Sequence, residues 1–295
     1  MKALLTIMMK KAMIILSAAL LAMSVALFMV CAYTAGSISY GKYPMQIRNS
    51  LLLTAGDEVC LFDSGALRTV FKSKIPGQKL VGATLVTDCN KKHRIAPLYY
   101  VSGIELSHGF WVRRFVFNRV AFHAQASEPQ KLSVGIIGMN IIRKANWHFS
   151  IRDSFFETLP LDRSMSIPSD AVVLSYDNNK RPLTTLVIEH RKYEDVLIDM
   201  GCDKDFGFSS LIMHSITNKV EPQYISQRSQ SGVFSSNKKM SYLFDSVYVL
   251  GKIYPNISMC ESKYNLVGMK FLSRFDHLFW DSRHKKVYLW NDEEK

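Results

Sequence analysis

Beyond residue 40, short runs of apolar, β-branched and aromatic residues alternate with polar residues, glycine or proline, a pattern that predicts strands. Two stretches, 138–145 and 268–275, lack a strand's alternation and predict short helices. The predicted strands of the first half are 45–53, 59–62, 80–87, 96–106, 110–122 and 147–151. Those of the second half are 171–176, 183–189, 196–198, 242–250 and 287–290. The pattern therefore predicts an all-β protein.

The two halves follow one plan. In each, an apolar run ends in an Asp with a Gly two residues later, as Asp63-Ser64-Gly65 and Asp199-Met200-Gly201. Each half later has two apolar residues followed by Gly-Met, at Gly138 and Gly268. Such an internal repeat predicts two similar lobes, which we place at 37–160 and 170–295. A polar, proline-bounded linker at 161–169 joins them.

Residues 1–36 differ from the rest of the chain. Lys2, Lys10 and Lys11 precede an uncharged, mostly apolar stretch at 12–33, long enough to cross a bilayer as a helix. Two interpretations remain open: a signal peptide cleaved near Val30-Cys31-Ala32, or an uncleaved membrane anchor. Both predict an extracytoplasmic protein that is secreted, periplasmic or membrane-anchored and facing outward.

The chain carries a formal net charge of +12, but its basic residues are scattered rather than gathered into one tract. A basic surface of this kind can lie against an anionic membrane, although an ordinary solvated surface is the favoured interpretation. No aromatic-basic motif of a nucleic-acid binder is present, so we expect no nucleic-acid partner.

Four cysteines follow the leader, and their spacing fits no zinc motif. In an oxidising compartment, Cys60 with Cys89 and Cys202 with Cys260 would each bridge within a lobe, and free thiols are the equal alternative. The sequence has no HExxH, GxSxG, GxGxxG or P-loop motif. We therefore expect no metal and no cofactor.

The two Asp-x-Gly turns suggest the chemistry. Each places a carboxylate at the end of an apolar strand, and the glycine lets another chain segment approach closely. Two such carboxylates facing one water molecule cannot both ionise easily, so they share one proton. The ionised member can then deprotonate water while the protonated member polarises a peptide carbonyl.

These motifs resemble those of the pepsin/retropepsin superfamily, in particular its bilobed bacterial-type aspartyl proteases, over about residues 40–292. The resemblance depends on the two Asp-x-Gly turns and on the later runs Ile136-Ile137-Gly138-Met139 and Leu266-Val267-Gly268-Met269. It implies an aspartic endopeptidase with a protein or peptide substrate and a bilobed fold. Each lobe would be barrel-like, with a short helix after the hydrophobic-hydrophobic-Gly strand.

The resemblance also implies roles for individual residues. Asp63 and Asp199 would be the catalytic dyad, and Ser64, Gly65 and Gly201 would support it. It further implies a flap, a hairpin that covers the substrate, at 86–100, with its turn near Asp88 to Lys92. Tyr99 and Tyr100 would line the cleft or, more simply, be ordinary strand aromatics. Residues 226–237 of the second lobe are predicted to be an exposed loop.

The second turn departs from the family pattern. The family has Thr or Ser at the middle position of each turn, bonded to the opposite turn, whereas Met200 has no hydroxyl to donate. Cys202 follows the second glycine, and Asp203 and Asp205 add negative charge that we expect to face solvent. Three hypotheses follow: an active endopeptidase, a catalytically weakened or inactive peptide-binding module, and a structural envelope protein whose turns are coincidental.

Overall fold

The structure is a computed structural model that describes residues 13–20, 36–55, 59–122, 131–177 and 180–292. Residues 13–20 are helical. Most of the predicted leader, and with it the proposed cleavage site, lies outside the described residues. Within the described ranges, no helix combines the length and apolar character needed to cross a membrane.

Strands dominate the described part of the chain. In the first half they are β1 Ser37–Ile38, β2 Gly41–Arg48, β3 Leu51–Thr54, β4 Cys60–Phe62, β5 Val70–Phe71, β6 Lys79–Thr87, β7 His93–Ser107, β8 Phe110–Arg119, β9 Gly135–Ile137, β10 Asn146–Ser150 and β11 Phe155–Leu159. In the second half they are β12 Val172–Ser175, β13 Leu183–Ile188, β14 Arg191–Asp199, β15 Phe206–Phe208, β16 Tyr224–Ser231, β17 Ser236–Val249, β18 Lys252–Glu261, β19 Leu266–Gly268, β20 His277–Asp281 and β21 Lys286–Trp290. Three short helices accompany them, α1 Met139–Ile142, α2 Ser210–Thr217 and α3 Met269–Leu272.

These strands form two sheets. The larger has the order β12-β21-β20-β10-β11-β2-β3-β4-β9-β5-β8-β7-β6, with β1 paired to β8. The smaller has the order β13-β14-β19-β15-β18-β17-β16, with a further pairing of β13 and β17. Three strands of the second half, β12, β20 and β21, extend the larger sheet beside β10, so the first half's sheet continues into the second half. The predicted bilobed all-β fold is confirmed. The predicted linker, 161–169, contains no strand or helix, and the lobe boundaries stay a prediction.

A buried aromatic cluster supports the first Asp-x-Gly turn. Phe62, which immediately precedes the turn, has its ring edge-on to Trp147 at 5.7 Å between centroids and to Phe149 and Phe156 at 5.2 Å each. All four rings are fully buried. Such contacts add to the free energy of burying the rings, and they fix the end of β4 from which Asp63 projects.

The same pairing surrounds both turns. β4 runs parallel to β9, with Phe62 opposite Ile137, and β14 runs parallel to β19, with Ile198 opposite Val267. The helix that follows is anchored to the turn in both halves. The backbone N–H of Met139 donates to the carbonyl of Ala66, and that of Met269 to Cys202, both at 2.8 Å. The predicted helices are thus present, although each is only four residues long.

Some elements differ from the prediction. Residues 45–53 are parts of two strands, because Asn49 and Ser50 adopt positive φ angles of 50° and 63° and reverse the chain. The exposed loop predicted at 226–237 is wrong: β16 and β17 form a hairpin there with a turn at 232–235. Most of β16 is exposed, so its sequence lacks the apolar alternation that would mark a strand. Helix α2, with Ser209 as its N-cap, was also missed.

Candidate active site

The structure brings Asp63 and Asp199 into contact. Their carboxyl groups hydrogen-bond to each other, and both residues are half-buried. The glycines explain how the two turns approach so closely: a Cβ atom on Gly65 would lie 2.8 Å from Cγ of Asp199, and one on Gly201 would collide with Asp63. Both turns therefore require glycine at this position.

Backbone groups hold each carboxylate in place. The N–H of Ala66 donates to Oδ1 of Asp63 at 2.9 Å, and the N–H of Gly201 donates to Oδ1 of Asp199 at 3.0 Å. Each donor lies within the same turn as the carboxylate that it holds, so the turn geometry fixes the carboxylate orientation. Hydrogen bonds of this kind favour the ionised form of a carboxyl group.

Ser64 links the two turns. Its hydroxyl donates to the carbonyl of Ile198 at 2.7 Å and accepts from the backbone N–H of Met200 at 3.0 Å. Ser64 and Met200 are both fully buried. The link runs in one direction only, because the thioether of Met200 cannot make the reciprocal bonds to the first turn.

Burial raises the pKa of both carboxyl groups. The pKa of Asp199 lies well above its ordinary value, because the negative charge of Asp63 adds to the effect of burial. For Asp63, bonds from the backbone of Ala66 and Gly65 and from Asp199 oppose the effect of burial on its pKa. Because the pKa of Asp199 is raised further than that of Asp63, a proton shared by the pair is favoured on Asp199.

The dyad lies in a cavity of about 590 Å³ to which both lobes contribute. Arg181 lines this cavity, and its positive charge lowers the pKa of both Asp63 and Asp199. The register of β13 and β14 places it there: Leu183 lies opposite Leu197, so a continuation of the ladder puts Arg181 beside Asp199. The guanidinium also lies 4.9 Å from the ring centroid of Tyr264.

The predicted flap corresponds to the hairpin of β6 and β7, whose turn is 88–92. The tip of this hairpin bonds to the β16–β17 turn of the other lobe, a contact that we call the latch. Oδ2 of Asp88 accepts from the Ser235 hydroxyl at 2.6 Å, and the side-chain amide of Asn90 donates to the carbonyl of Gln230 at 3.3 Å and to Oγ of Ser235 at 3.1 Å. Asp88 and Asn90 are only 5% and 2% exposed, so the latch is shielded from water.

Tyr99 and Tyr100 do not line the cavity, and Tyr99 stacks on Phe117 as an ordinary strand aromatic.

All four cysteines of the described residues are free, so neither predicted disulfide is present. Cys89, Cys202 and Cys260 line the cavity as thiols. Burial and the nearby aspartates raise the pKa of Cys89 to about 12, and burial raises the pKa of Cys202 well above its usual value. A protonated thiol is a poor nucleophile, so these side chains give no support to thiol chemistry.

The expectation that Asp203 and Asp205 face solvent is correct for Asp203 and wrong for Asp205. Asp205 is fully buried and accepts from Nε of Arg274 at 2.9 Å and from the Ser258 hydroxyl at 2.6 Å. This cluster anchors the segment after the second turn, because the N–H of Gly268 donates to the Asp205 carbonyl. In the first lobe, the corresponding glycine, Gly138, donates its backbone N–H to the hydroxyl of Thr69 instead.

Comparison with known proteins bears on the fold. No protein-family model matches the chain, and no curated protein matches it. Conglutin gamma, a basic 7S globulin from lupine seeds, is 10% identical over 87% of this chain and 95% of its own, with a TM-score of 0.52. The basic 7S globulin from soybean is 8% identical over the same shares, also with a TM-score of 0.52. A retropepsin-like aspartic protease from Rickettsia conorii is 16% identical over 43% of this chain and 95% of its own, with a TM-score of 0.30. The two globulins support the pepsin-like fold, and at these identities they show the fold alone.

Sequence reasoning missed two features of the site, Arg181 and the contact of Asp88 with Ser235. Arg181 precedes β13 and has no motif of its own. Asp88 lies in a polar turn with no local sign that its partner Ser235 is far along the chain. The one signal for Arg181 was its position just before the predicted strand 183–189. That strand pairs with the strand that ends in Asp199.

Proposed function

We propose that this chain is an aspartic-type endopeptidase that cleaves protein or peptide substrates outside the cytoplasm. The observation that carries the proposal is the contact between the carboxyl groups of Asp63 and Asp199, one from each half, within a cavity of about 590 Å³. The N-terminal sequence pattern supports the location. The proposed reaction uses no cofactor.

In the proposed reaction the two carboxyl groups have opposite roles. Asp63, which is ionised, takes a proton from a water molecule whose oxygen bonds to the peptide carbonyl carbon. Asp199 gives its proton to the carbonyl oxygen, and a neutral tetrahedral diol results. When the C–N bond breaks, the nitrogen takes the proton from Asp63, and a diol hydroxyl returns a proton to Asp199. The dyad regains its starting state, and one water molecule has been added across the peptide bond.

One observation favours a second candidate function, a peptide-binding module with weakened or lost catalysis. Met200 is fully buried and cannot supply the reciprocal hydrogen bonds between the turns. Catalytic groups must be held within about 0.5 Å of their productive geometry. When only one turn supplies the hydrogen bonds between the two turns, the protein can keep its peptide-binding cleft while the dyad catalyses hydrolysis more slowly.

The proposal is tested by incubating the full-length protein with an unfolded protein substrate between acidic and neutral pH. We expect cleavage by the wild type and its loss in both Asp63→Asn and Asp199→Asn. Asp245→Asn is the matched control, because Asp245 is exposed and does not line the cavity. Cleavage that persists in either dyad variant contradicts the proposal.

Met200→Thr separates the two candidates. The new hydroxyl lies where the pseudo-symmetry of the turns puts the counterpart of Ser64, so we expect a faster reaction. The smaller side chain also leaves a cavity that lowers stability by about 1–3 kcal/mol. An inert wild type with an active Met200→Thr variant supports the binding module, whereas a wild type that already cleaves the substrate supports the enzyme.

A further inference from the structure

Among the described residues, more basic than acidic side chains line the cavity around the dyad. Its four acidic side chains are all engaged: Asp63 and Asp199 share a proton, Asp88 belongs to the latch, and Asp203 pairs with Lys204 at 3.5 Å. Basic side chains from both lobes line the same space. Two pairs of them place like charges together.

The first pair is Arg68 and Arg143, on the side of the cavity formed by the first lobe. Arg68 follows Asp63 by five residues and is half-buried, and Arg143 lies directly after helix α1. Burial lowers the pKa of Arg68, and the positive charge of Arg143 lowers it further. Among the described residues, neither guanidinium has a carboxylate partner within ion-pair distance.

The second pair is Arg228 and Lys239, on the side formed by the second lobe. They lie directly opposite each other on β16 and β17, so their side chains share a face, and both line the cavity. Like charges at opposite positions of an antiparallel pair destabilise it. Neither side chain has an acidic partner in the part of the chain that the structure describes. Two unfavourable pairs thus face one cleft from opposite sides.

We propose that the cleft takes extended peptides with Asp or Glu side chains on both sides of the bond at the dyad, an inference that rests on the proposed function. Carboxylates relieve the repulsion in both pairs, and an arginine guanidinium binds a carboxylate through two parallel hydrogen bonds. An anionic membrane surface fits less well, because these cations line one cavity from both lobes instead of forming a single flat face.

The experiment measures peptide binding by fluorescence anisotropy with the full-length protein. Two labelled peptides share a Leu-Phe centre and differ only in their flanks, which carry Glu in one and Gln in the other. We expect the Glu peptide to bind about tenfold more tightly at low salt, and added salt to reduce that ratio. Arg68→Gln and Arg228→Gln should each reduce the ratio of the two affinities severalfold. Arg283→Gln, an exposed position outside the cavity lining, removes the same charge and should leave the ratio unchanged.

Equal affinities for the two peptides overturn the inference. So does an equal loss of preference in Arg283→Gln, because net charge would then be the cause. Arg228 lies on an exposed strand, so its variant keeps the test valid even where Arg68→Gln fails to fold. Cleavage of both peptides is followed in parallel: binding preference without cleavage contradicts only the proposed peptidase function, and cleavage without preference contradicts only the acidic-substrate inference.

Discussion

The hydroxyl of Ser64 accepts a hydrogen bond from the backbone N–H of Met200 at 3.0 Å and ties the two halves of the site together. The same hydroxyl donates to the Ile198 carbonyl at 2.7 Å. One buried side chain therefore satisfies a donor and an acceptor of the opposite turn. The opposite position holds methionine, so the alignment of both carboxyl groups depends heavily on Ser64.

Ser64→Ala leaves the Met200 N–H and the Ile198 carbonyl buried without a partner. We expect the free energy of unfolding to fall by about 1–3 kcal/mol, and kcat to fall because the dyad loses its remaining side-chain brace. Urea unfolding and peptide hydrolysis measure the two effects. Ser64→Thr keeps the hydroxyl and is the control. A Ser64→Ala variant with unchanged stability and rate would show that the brace is dispensable.

The sequence could predict the parts of the fold that depend on local pattern. Each half has an apolar strand that ends in Asp-x-Gly, followed later by two apolar residues and Gly-Met. This pattern correctly predicted that the turns at Asp63 and Asp199 lie together. The pattern is informative because these strands are buried on both faces. The close approach of the turns also requires glycine at positions 65 and 201.

The parts it missed depend on long-range contacts or on exposed backbone. Strand β16 is polar and mostly exposed, so its hydrogen bonds to β17 define it rather than side-chain burial. Asp205 reads as one more surface acid, and only the fold shows that Arg274 neutralises it inside the second lobe. The latch joins residues about 140 positions apart, and nothing in the local sequence of either turn signals the contact.

The latch predicts how the cleft opens. Ser235→Ala removes the hydroxyl that donates to Asp88 and accepts from Asn90. The loss of these bonds should make opening of the β6–β7 tip easier by roughly 1–2 kcal/mol. We expect faster amide hydrogen exchange in residues 88–92 and faster association of peptides. Ser246→Ala, at an exposed position of β17, is the control. Unchanged exchange in Ser235→Ala would mean that other contacts hold the hairpin closed.

Arg181 predicts a shift in the pH dependence of the proposed reaction. Its charge lowers the pKa of Asp63 and Asp199, so Arg181→Gln should raise both. The acidic limb of kcat/KM reports the ionisation of Asp63, and the alkaline limb reports the loss of the Asp199 proton. Both limbs should therefore move to higher pH, by less than about one unit. Arg181→Lys keeps the charge and should keep both limbs in place, whereas identical profiles for all three proteins would exclude this role.

Because His148 is buried and its pKa is lowered, we expect the fold to lose stability in acid. The ring of His148, in β10, is buried against the rings of His277 and Trp290. Burial, with the charges of His277 and Lys42, lowers the pKa of His148 to about 4 against the opposing effect of Asp153. In the unfolded chain the pKa is about 6.5. Between these values the unfolded chain binds a proton that the folded protein does not, so stability is full above about pH 6.5 and declines as the pH falls towards 4.

The loss from this one group should reach at most roughly 3 kcal/mol. Urea unfolding at a series of pH values measures it, and His148→Gln should flatten the slope in this range because glutamine does not titrate. Other groups titrate in the same range, so the difference between variant and wild type isolates His148. His108→Asn, at an exposed turn position, should keep the wild-type slope. A His148→Gln protein that loses stability in acid as steeply as the wild type would assign the loss to other groups.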